Sequence, residues 1–233
     1  MTSLLSLYRN AVTSNSWFDS LPRAIQEDIL SRARRRELAA GERVYSRGKG
    51  ADGFYKVVTG SVCVSGVSRE GHVTVLDFYG PGAWFAEVSA LDGGSHVHDA
   101  SAYEPTSLLQ ITLTDLEELL VLHPELSRSL LRLEAQRLRL LLAALEAYSA
   151  QSMEQRLASR LLMLALAFGE TTTRGAEIKL HLPQETLAQL IGTTRQRVNQ
   201  ILKGWELDGT IEQPQYGHLE LRDEGSLSKL AEM

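Results

Sequence analysis

Between Thr193 and Lys203 lies a run of side chains able to read a nucleic acid. Thr194, Arg195, Gln196, Arg197, Asn199, Gln200 and Lys203 are donors and amides, and no carboxylate follows until Glu206. Arginine donates two parallel hydrogen bonds to a guanine edge, glutamine and asparagine pair with adenine, and any of the cations can hold a phosphate. Val198, Ile201 and Leu202 fall between them at helical spacing, which gathers the polar set on one outward face. An ordinary solvated helix mixes Glu with Lys, whereas these eleven residues carry a charge of +3.

A second constellation points to metal chemistry. His96 and His98 are two apart, so on a strand they share a face, and Glu104 follows. That pattern is similar to the metal site of cupin barrels and makes a cupin-like metal-binding β-barrel protein or enzyme, with an appended helical domain, the alternative reading. The interval from His98 to Glu104 is longer than the usual cupin spacing, and no convincing downstream histidine partner appears on a strand. His72, His96, His98 and His123 could each ligate haem iron, but scattered surface histidines are commoner, and no haem is expected. With Cys63 as the only cysteine, a disulfide framework, a multi-cysteine zinc site and a cysteine-held iron–sulfur cluster are excluded within one chain. No cofactor and no metal site are expected.

The elements that must position the polar face can be read around it. Pro183 suits the first turn of a helix, Gly192 its left-handed stop, and Thr193 with Gln196 has the spacing of a capping box. Leu187, Ala188 and Ile191 would face Val198, Ile201 and Leu202, with Ala188 small enough for close crossing. Thr210 to Gln213, a turn at Pro214 to Gly217, and His218 to Leu221 read as a hairpin of the size of a wing.

Upstream, Trp17 to Leu38 reads as one helix ending before Gly41, with Ile25, Ile29, Leu30 and Ala33 at helical spacing. Arg32, Arg34, Arg35 and Arg36 near its end are read as a solvated, dipole-matched terminus, with an anion site as the rival. From Gly41 to Thr114 short β-branched and aromatic runs (Val44 and Tyr45, Phe54 to Val58, Val62 to Val64, Val73 to Phe78, Leu108 to Leu113) alternate with glycines, which implies a sandwich or barrel. Pro124 to about Ser149 reads as a single helix of roughly 36 Å. Leu131, Glu134, Leu138, Leu141, Leu145 and Tyr148 make an a/d seam, and Leu126, Leu130, Leu133, Leu140 and Leu142 a second apolar face. Two apolar faces need two partners, so a parallel homodimer is expected; the rival is the central helix of a monomeric core. Another helix, Met153 to Phe168, precedes a polar stretch, Gly169 to Ala176, read as a surface loop.

Composition fits a soluble globular chain: 233 residues, 43% hydrophobic and 23% charged, net charge −5. Such acidity argues against bulk binding to nucleic acid or membrane. Residues 150–233 hold 9 basic and 11 acidic groups, so the local +3 stands inside an acidic domain. No apolar run reaches the roughly 18 residues of a membrane span, and Met1 to Val12 lacks the pattern of a secretory signal, so a cytoplasmic location without membrane contact is expected.

Several ordered motifs resemble the family of bacterial transcription regulators typified by the cyclic-AMP receptor protein and the FNR oxygen sensor, CRP/FNR for short. They are Gly41-Glu42-Arg43-Val44-Tyr45-Ser46-Arg47-Gly48, Phe54 to Val62, and Gly82-Ala83-Trp84-Phe85-Ala86-Glu87, followed by the long helix and the winged segment in the family's order. The resemblance implies an α+β chain: a β-roll (jelly roll) of the cyclic-nucleotide-binding type over 1–124, a dimerisation helix and hinge over 125–150, and a winged helix-turn-helix over 151–233. It implies a homodimer on a palindromic promoter in double-stranded DNA, not an enzyme, with RNA polymerase and an unidentified small-molecule effector as further candidate partners. Leu131, Leu138, Leu141, Leu145 and Tyr148 would form the dimer interface.

The resemblance also places an effector pocket at Glu87, Val88, His98 and Asp99. Glu87 falls where cyclic-AMP-binding members hold the ribose. The family's phosphate-gripping Arg and Ser are replaced here by His98 and Asp99. Losing the guanidinium forfeits roughly 1.5–3 kcal/mol, and Asp99 adds repulsion of order 4 kcal/mol at 4 Å before screening. Ala144 and Leu145 also offer no hydroxyl to an adenine. Cyclic AMP is therefore not expected to bind in the family's usual way.

Overall fold

The computed structural model describes residues 4–12 and 16–232; Met1–Ser3 and Thr13–Asn15, which fall in the expected first domain, lie outside them. The chain divides into two units, Thr13–Leu138 and a second that joins Met1–Val12 to Arg139–Met233. Its first helix, α1 (Leu4–Val12), belongs to the second unit.

In the first unit α2 (Ser16–Asp19) and α3 (Arg23–Arg32) lead into β1 (Arg34–Leu38), β2 (Arg43–Tyr45), β3 (Gly53–Thr59), β4 (Val62–Val67), β5 (Val73–Tyr79) and β6 (Trp84–Phe85). Then come α4 (Glu87–Asp92), β7 (Asp99–Ala102), β8 (Thr106–Thr112), α5 (Leu113–Leu122) and α6 (Pro124–Ala150), whose last residues pass into the second unit. Two antiparallel sheets form, in the orders β1-β8-β3-β6 and β2-β7-β4-β5. Strand alternation explains why the first sheet is covered on both sides. Tyr55 and Val57 of β3 point to a core with Val44, Val62, Phe85, Ala100 and Leu108. Phe54 points the other way, into Trp17, Phe18, Ile25, Trp84, Leu119, Leu126, Leu130 and Leu133.

The helix expected to run to Leu38 stops at Arg32, and Ala33 turns extended (φ −68°, ψ 133°). Arg34 to Leu38 instead pair with β8 as an edge strand, from Arg34 opposite Gln110 to Leu38 opposite Thr106. A charged edge discourages pairing with foreign strands, and its charge mimics a solvated helix end in the sequence. Three of the four arginines have partners within the fold: Arg32 with Asp28 (3.0 Å) and Glu118 (2.6 Å), Arg35 with Ser107 (3.0 Å), and Arg36 with the Tyr55 hydroxyl (3.1 Å).

In the second unit α7 (Met153–Phe168) is preceded by a capping box at Ser152 and Gln155 and packs against α1. β9 (Gly169–Thr172) and β10 (Gly175–Ile178) follow, then α8 (Gln184–Ile191), α9 (Arg195–Leu207), β11 (Ile211–Glu212), β12 (Leu219–Leu221) and α10 (Glu224–Glu232). The stretch expected as a surface loop, Gly169 to Ala176, is therefore largely a hairpin, joined to the wing in a sheet ordered β11-β12-β10-β9. Gly175 (φ 149°) is required there, since a Cβ would meet the Leu221 carbonyl at 1.9 Å. Among the described residues no helix is long and apolar enough to cross a membrane.

Candidate nucleic-acid interface and a buried charged site

α8 and α9 meet through Leu187, Ala188, Ile191, Val198, Ile201 and Leu202, all buried as the sequence pattern requires, with Trp205 closing the far end. Gly192 takes the left-handed conformation (φ 70°) that ends α8. The cap of α9 differs by one residue from expectation: Thr194, not Thr193, is the N-cap, its hydroxyl accepting the Arg197 backbone N–H at 3.2 Å. Gly192 and Thr193 together form the turn, so the first helical residue is Arg195.

That register exposes Arg195, Gln196, Arg197, Gln200 and Lys203 and leaves Asn199 half-buried. Among the described residues Arg195 and Lys203 engage no acidic partner. Arg197 lies 3.7 Å from Glu154 of α7 and donates to the Gln200 side chain at 3.4 Å. Gln184, at the start of α8, donates to the Asn199 side chain at 3.4 Å. The N-terminal turn of α9, without an acidic residue, carries the positive end of the helix dipole and suits approach to phosphate. Beside it, the β11–β12 turn presents an exposed Tyr216.

α6 is apolar on two sides. Leu126, Leu130 and Leu133 are buried against the first unit, while Leu131 (71% exposed), Leu138, Leu141, Leu145 (66%) and Tyr148 form an open stripe. Leu142, expected on the covered face, is exposed and belongs with that stripe. Tyr148 is engaged within its own unit: its ring lies 3.6 Å beneath the Arg156 guanidinium, which donates to its carbonyl at 2.5 Å.

Inside the first unit is a charged site that the sequence disclosed only in part. Ala86, the one non-glycine with positive φ among the described residues (71°), is the N-cap of α4. That conformation costs an alanine roughly 1–2 kcal/mol, and it is followed by Glu87, which is only 6% exposed. Arg137 of α6 forms an ion pair with Glu87 and donates to the Trp84 carbonyl at 2.6 Å. Burial opposes the Arg137 charge, but the carboxylate of Glu87, with which it is ion-paired, outweighs it and holds the guanidinium protonated. Glu134 is pushed up to about 7 by burial and by the charge of Glu87, with Arg137 pulling the other way. Glu134 and Arg137 had a readable signal: Arg137 continues the Leu126, Leu130, Leu133 spacing of the covered face, and Glu134 interrupts the seam.

The other residues placed in the pocket do not converge on Glu87. Val88 is 52% exposed. Asp99 is ion-paired to Arg43 and accepts the Arg47 backbone N–H at 2.9 Å, and the Arg43 hydrogen bond holds its carboxyl below the usual range. His98 is lowered by burial and by Arg47, so it is neutral at pH 7. His96 is buried with its ring stacked 3.7 Å from Tyr45. Glu104 accepts from Ser61 at 2.8 Å, and His123 bonds Asp28 at 2.8 Å. Among the described residues no three candidate ligands gather as a metal site.

The family description "Cyclic nucleotide-binding domain" matches residues 35–123, and "Crp-like helix-turn-helix domain" matches residues 155–230. The chain is 29% identical over 170 residues to the CRP-like cAMP-activated global transcriptional regulator of Mycobacterium tuberculosis, covering 71% of this chain and 76% of that one. It is 27% identical over 164 residues to the global nitrogen regulator of Synechococcus elongatus, covering 70% and 74%. Among solved structures, FixK2 from Bradyrhizobium japonicum superposes with a TM-score of 0.73 at 21% identity, covering 85% of this chain and 96% of that one.

Proposed function

Since the chain belongs to the CRP/FNR family of transcription regulators, we propose that it acts as a homodimer whose paired α9 helices read the two halves of a palindromic promoter, and that cyclic AMP does not regulate it. The protein is a regulator with a DNA-binding helix-turn-helix and not an enzyme, which sets the cupin-type alternative aside.

The observation that carries the finer reading is the solvent-facing side of α9, where Arg195, Gln196, Gln200 and Lys203 stand together without an acid. In a dimer two such helices would enter successive major grooves about 34 Å apart. Arg195 reads guanine, Gln196 and Gln200 add base contacts, and Thr194, Arg197, Asn199 and Lys203 touch bases or phosphates. The open Leu131 to Tyr148 stripe supports α6 as the pairing element between the β-roll and the winged helix-turn-helix. The acidic remainder of the chain limits indiscriminate binding in the cytoplasm, since non-specific affinity grows with the number of phosphates neutralised.

Some relatives carry cyclic AMP in their names, but this chain's groups do not favour that anion. Arg137 is balanced by Glu87 and Glu134, Arg43 by Asp99, and His98 is neutral. A lone cysteine likewise leaves no ligand set for an iron–sulfur cluster, and the engaged His96 and His123 leave little for haem. Selection of binding sites from a random DNA library tests the reading: an inverted repeat with half-sites one helical turn apart is expected, and recovery of no enriched sequence overturns it.

A further inference from the structure

The Glu87–Arg137–Glu134 cluster holds two carboxylates and one guanidinium, a surplus of one negative charge when both acids are ionised. Glu87 Oε2 and Glu134 Oε1 are buried and have no hydrogen-bond partner among the described residues. A buried carboxylate oxygen without a donor is costly, and it can be relieved by taking a proton. Other charged or titratable groups around the cluster do not supply that relief. Tyr79 of β5 and Tyr45 of β2 are both driven upward by burial, so both are neutral. His96, stacked on Tyr45, is lowered by burial, and the more distant Asp52 and Asp77 add only negative charge. Among the described residues Arg137 is the one cation in contact, and Glu87 already holds it.

Glu134 also occupies a position with two neighbourhoods. It lies one residue after buried Leu133, three after exposed Leu131 and four before exposed Leu138, so it borders both the buried charged site and the open stripe. In a parallel pair of α6 helices, the two copies of Glu134 fall at the same level of the seam. Ionised, they repel each other across it and each draws toward water; protonated, they do neither.

We propose that Glu134 is a proton-binding site shared by the buried cluster and the α6 seam, and that its protonation tightens pairing with a second copy of the chain. The proposal rests on the dimer reading above. It assigns the proton as a regulator of that assembly, so the dimer is tighter at pH 6 than at pH 9. Burial and the charge of Glu87 support it, pushing Glu134 up to about 7. Each further unit by which pairing raises it strengthens association roughly tenfold per protomer at low pH.

Sedimentation equilibrium of the full chain at pH 6, 7.5 and 9 tests this, together with a carboxyl ¹³C NMR titration of glutamate-labelled protein in which Glu134→Gln identifies the resonance. The expected result is a dissociation constant that rises at least about tenfold from pH 6 to pH 9 in the wild type, a flat profile in Glu134→Gln, and a Glu134 midpoint near 7. Glu87→Gln, which removes the repelling neighbour, should move both the midpoint and the association step to lower pH. A Glu134 midpoint near 4.5, or a Glu134→Gln profile as steep as the wild type, overturns the proton site while leaving the dimer standing. Should Glu134→Gln fail to fold, a Glu87→Gln step at the wild-type pH overturns it instead. A chain that is monomeric at every pH overturns the dimer reading itself.

Discussion

Arg137 of α6 is ion-paired to Glu87 at the start of α4, joining the long helix to the element that follows the strained Ala86. Glu87 is buried and Arg137 half-buried, so removing the arginine leaves a buried carboxylate unsatisfied. Arg137→Leu should destabilise the first unit by about 3–5 kcal/mol, whereas Arg137→Leu with Glu87→Leu should recover most of that loss. Urea unfolding followed by tryptophan fluorescence, which Trp17 and Trp84 in the adjoining core report, measures both. Equal losses in the single and double variants would show that packing, not charge, governs the site.

Arg195 and Lys203 lie at opposite ends of the polar face and should fail differently. Arg195→Ala should cost about 1–3 kcal/mol per half-site and relax preference at one base pair. Lys203→Ala, as loss of a phosphate contact, should weaken all sequences alike and reduce the salt slope of log affinity by about 1. Repeated site selection and salt titrations separate these effects; an unchanged consensus for Arg195→Ala removes it from base reading.

How much of this was legible depends on whether a pattern has one physical meaning. A helical period with Gly192 between two apolar faces has one, and the α8–α9 pair follows it. Polar strands are ambiguous: Arg34 to Arg36 read as a solvated helix end because an edge strand tolerates the same residues, and Glu170 to Thr172 carry no apolar alternation. The cap of α9 slipped because adjacent threonines both fit. Arg137 was missed for a different reason. Charge on a long amphipathic helix ordinarily means solvent, so although Arg137 continues the Leu126, Leu130, Leu133 spacing, that signal was outweighed until the three-dimensional closure with Glu87 placed the guanidinium on the covered face.

The exposed stripe of α6 gives a prediction that does not depend on DNA. Leu131 and Leu145 are largely exposed, so Leu131→Glu and Leu145→Glu should fold with nearly wild-type thermal midpoints. Paired across a seam, each would bring like charges together, and light scattering should show the mass falling from dimer to monomer. Retention of a dimer in Leu131→Glu with Leu145→Glu would move the interface elsewhere.

Asp28 accepts from Arg32 (3.0 Å) and pairs with His123 (2.8 Å), tying α3 to the end of α5. The His123 hydrogen bond, then that of Arg32, holds its carboxyl below the usual 3.8. A depressed folded value means that the contribution is complete above 3.8 and is lost as pH falls through the folded value. Thermal midpoints should therefore drop more steeply below pH 4 in the wild type than in Asp28→Asn. Parallel curves would show that the contact contributes nothing to acid stability.

Cyclic AMP provides the sharpest contrast with the relatives. Glu87 is occupied by Arg137 and Asp99 by Arg43 and the Arg47 backbone, and the family resemblance sets a neutral His98 against the cation that a cyclic-nucleotide phosphate needs. Calorimetry should show no binding below about millimolar concentration, since the missing contact and the added repulsion together exceed the roughly 4 kcal/mol between micromolar and millimolar. His98→Arg with Asp99→Ser should restore a phosphate-binding cation, remove the repelling carboxylate and release Arg43, raising affinity at least about tenfold. Low-micromolar binding by the wild type would refute this account of the pocket. Failure of the double variant to gain would place the barrier instead at the Glu87–Arg137 pair, which neither substitution touches.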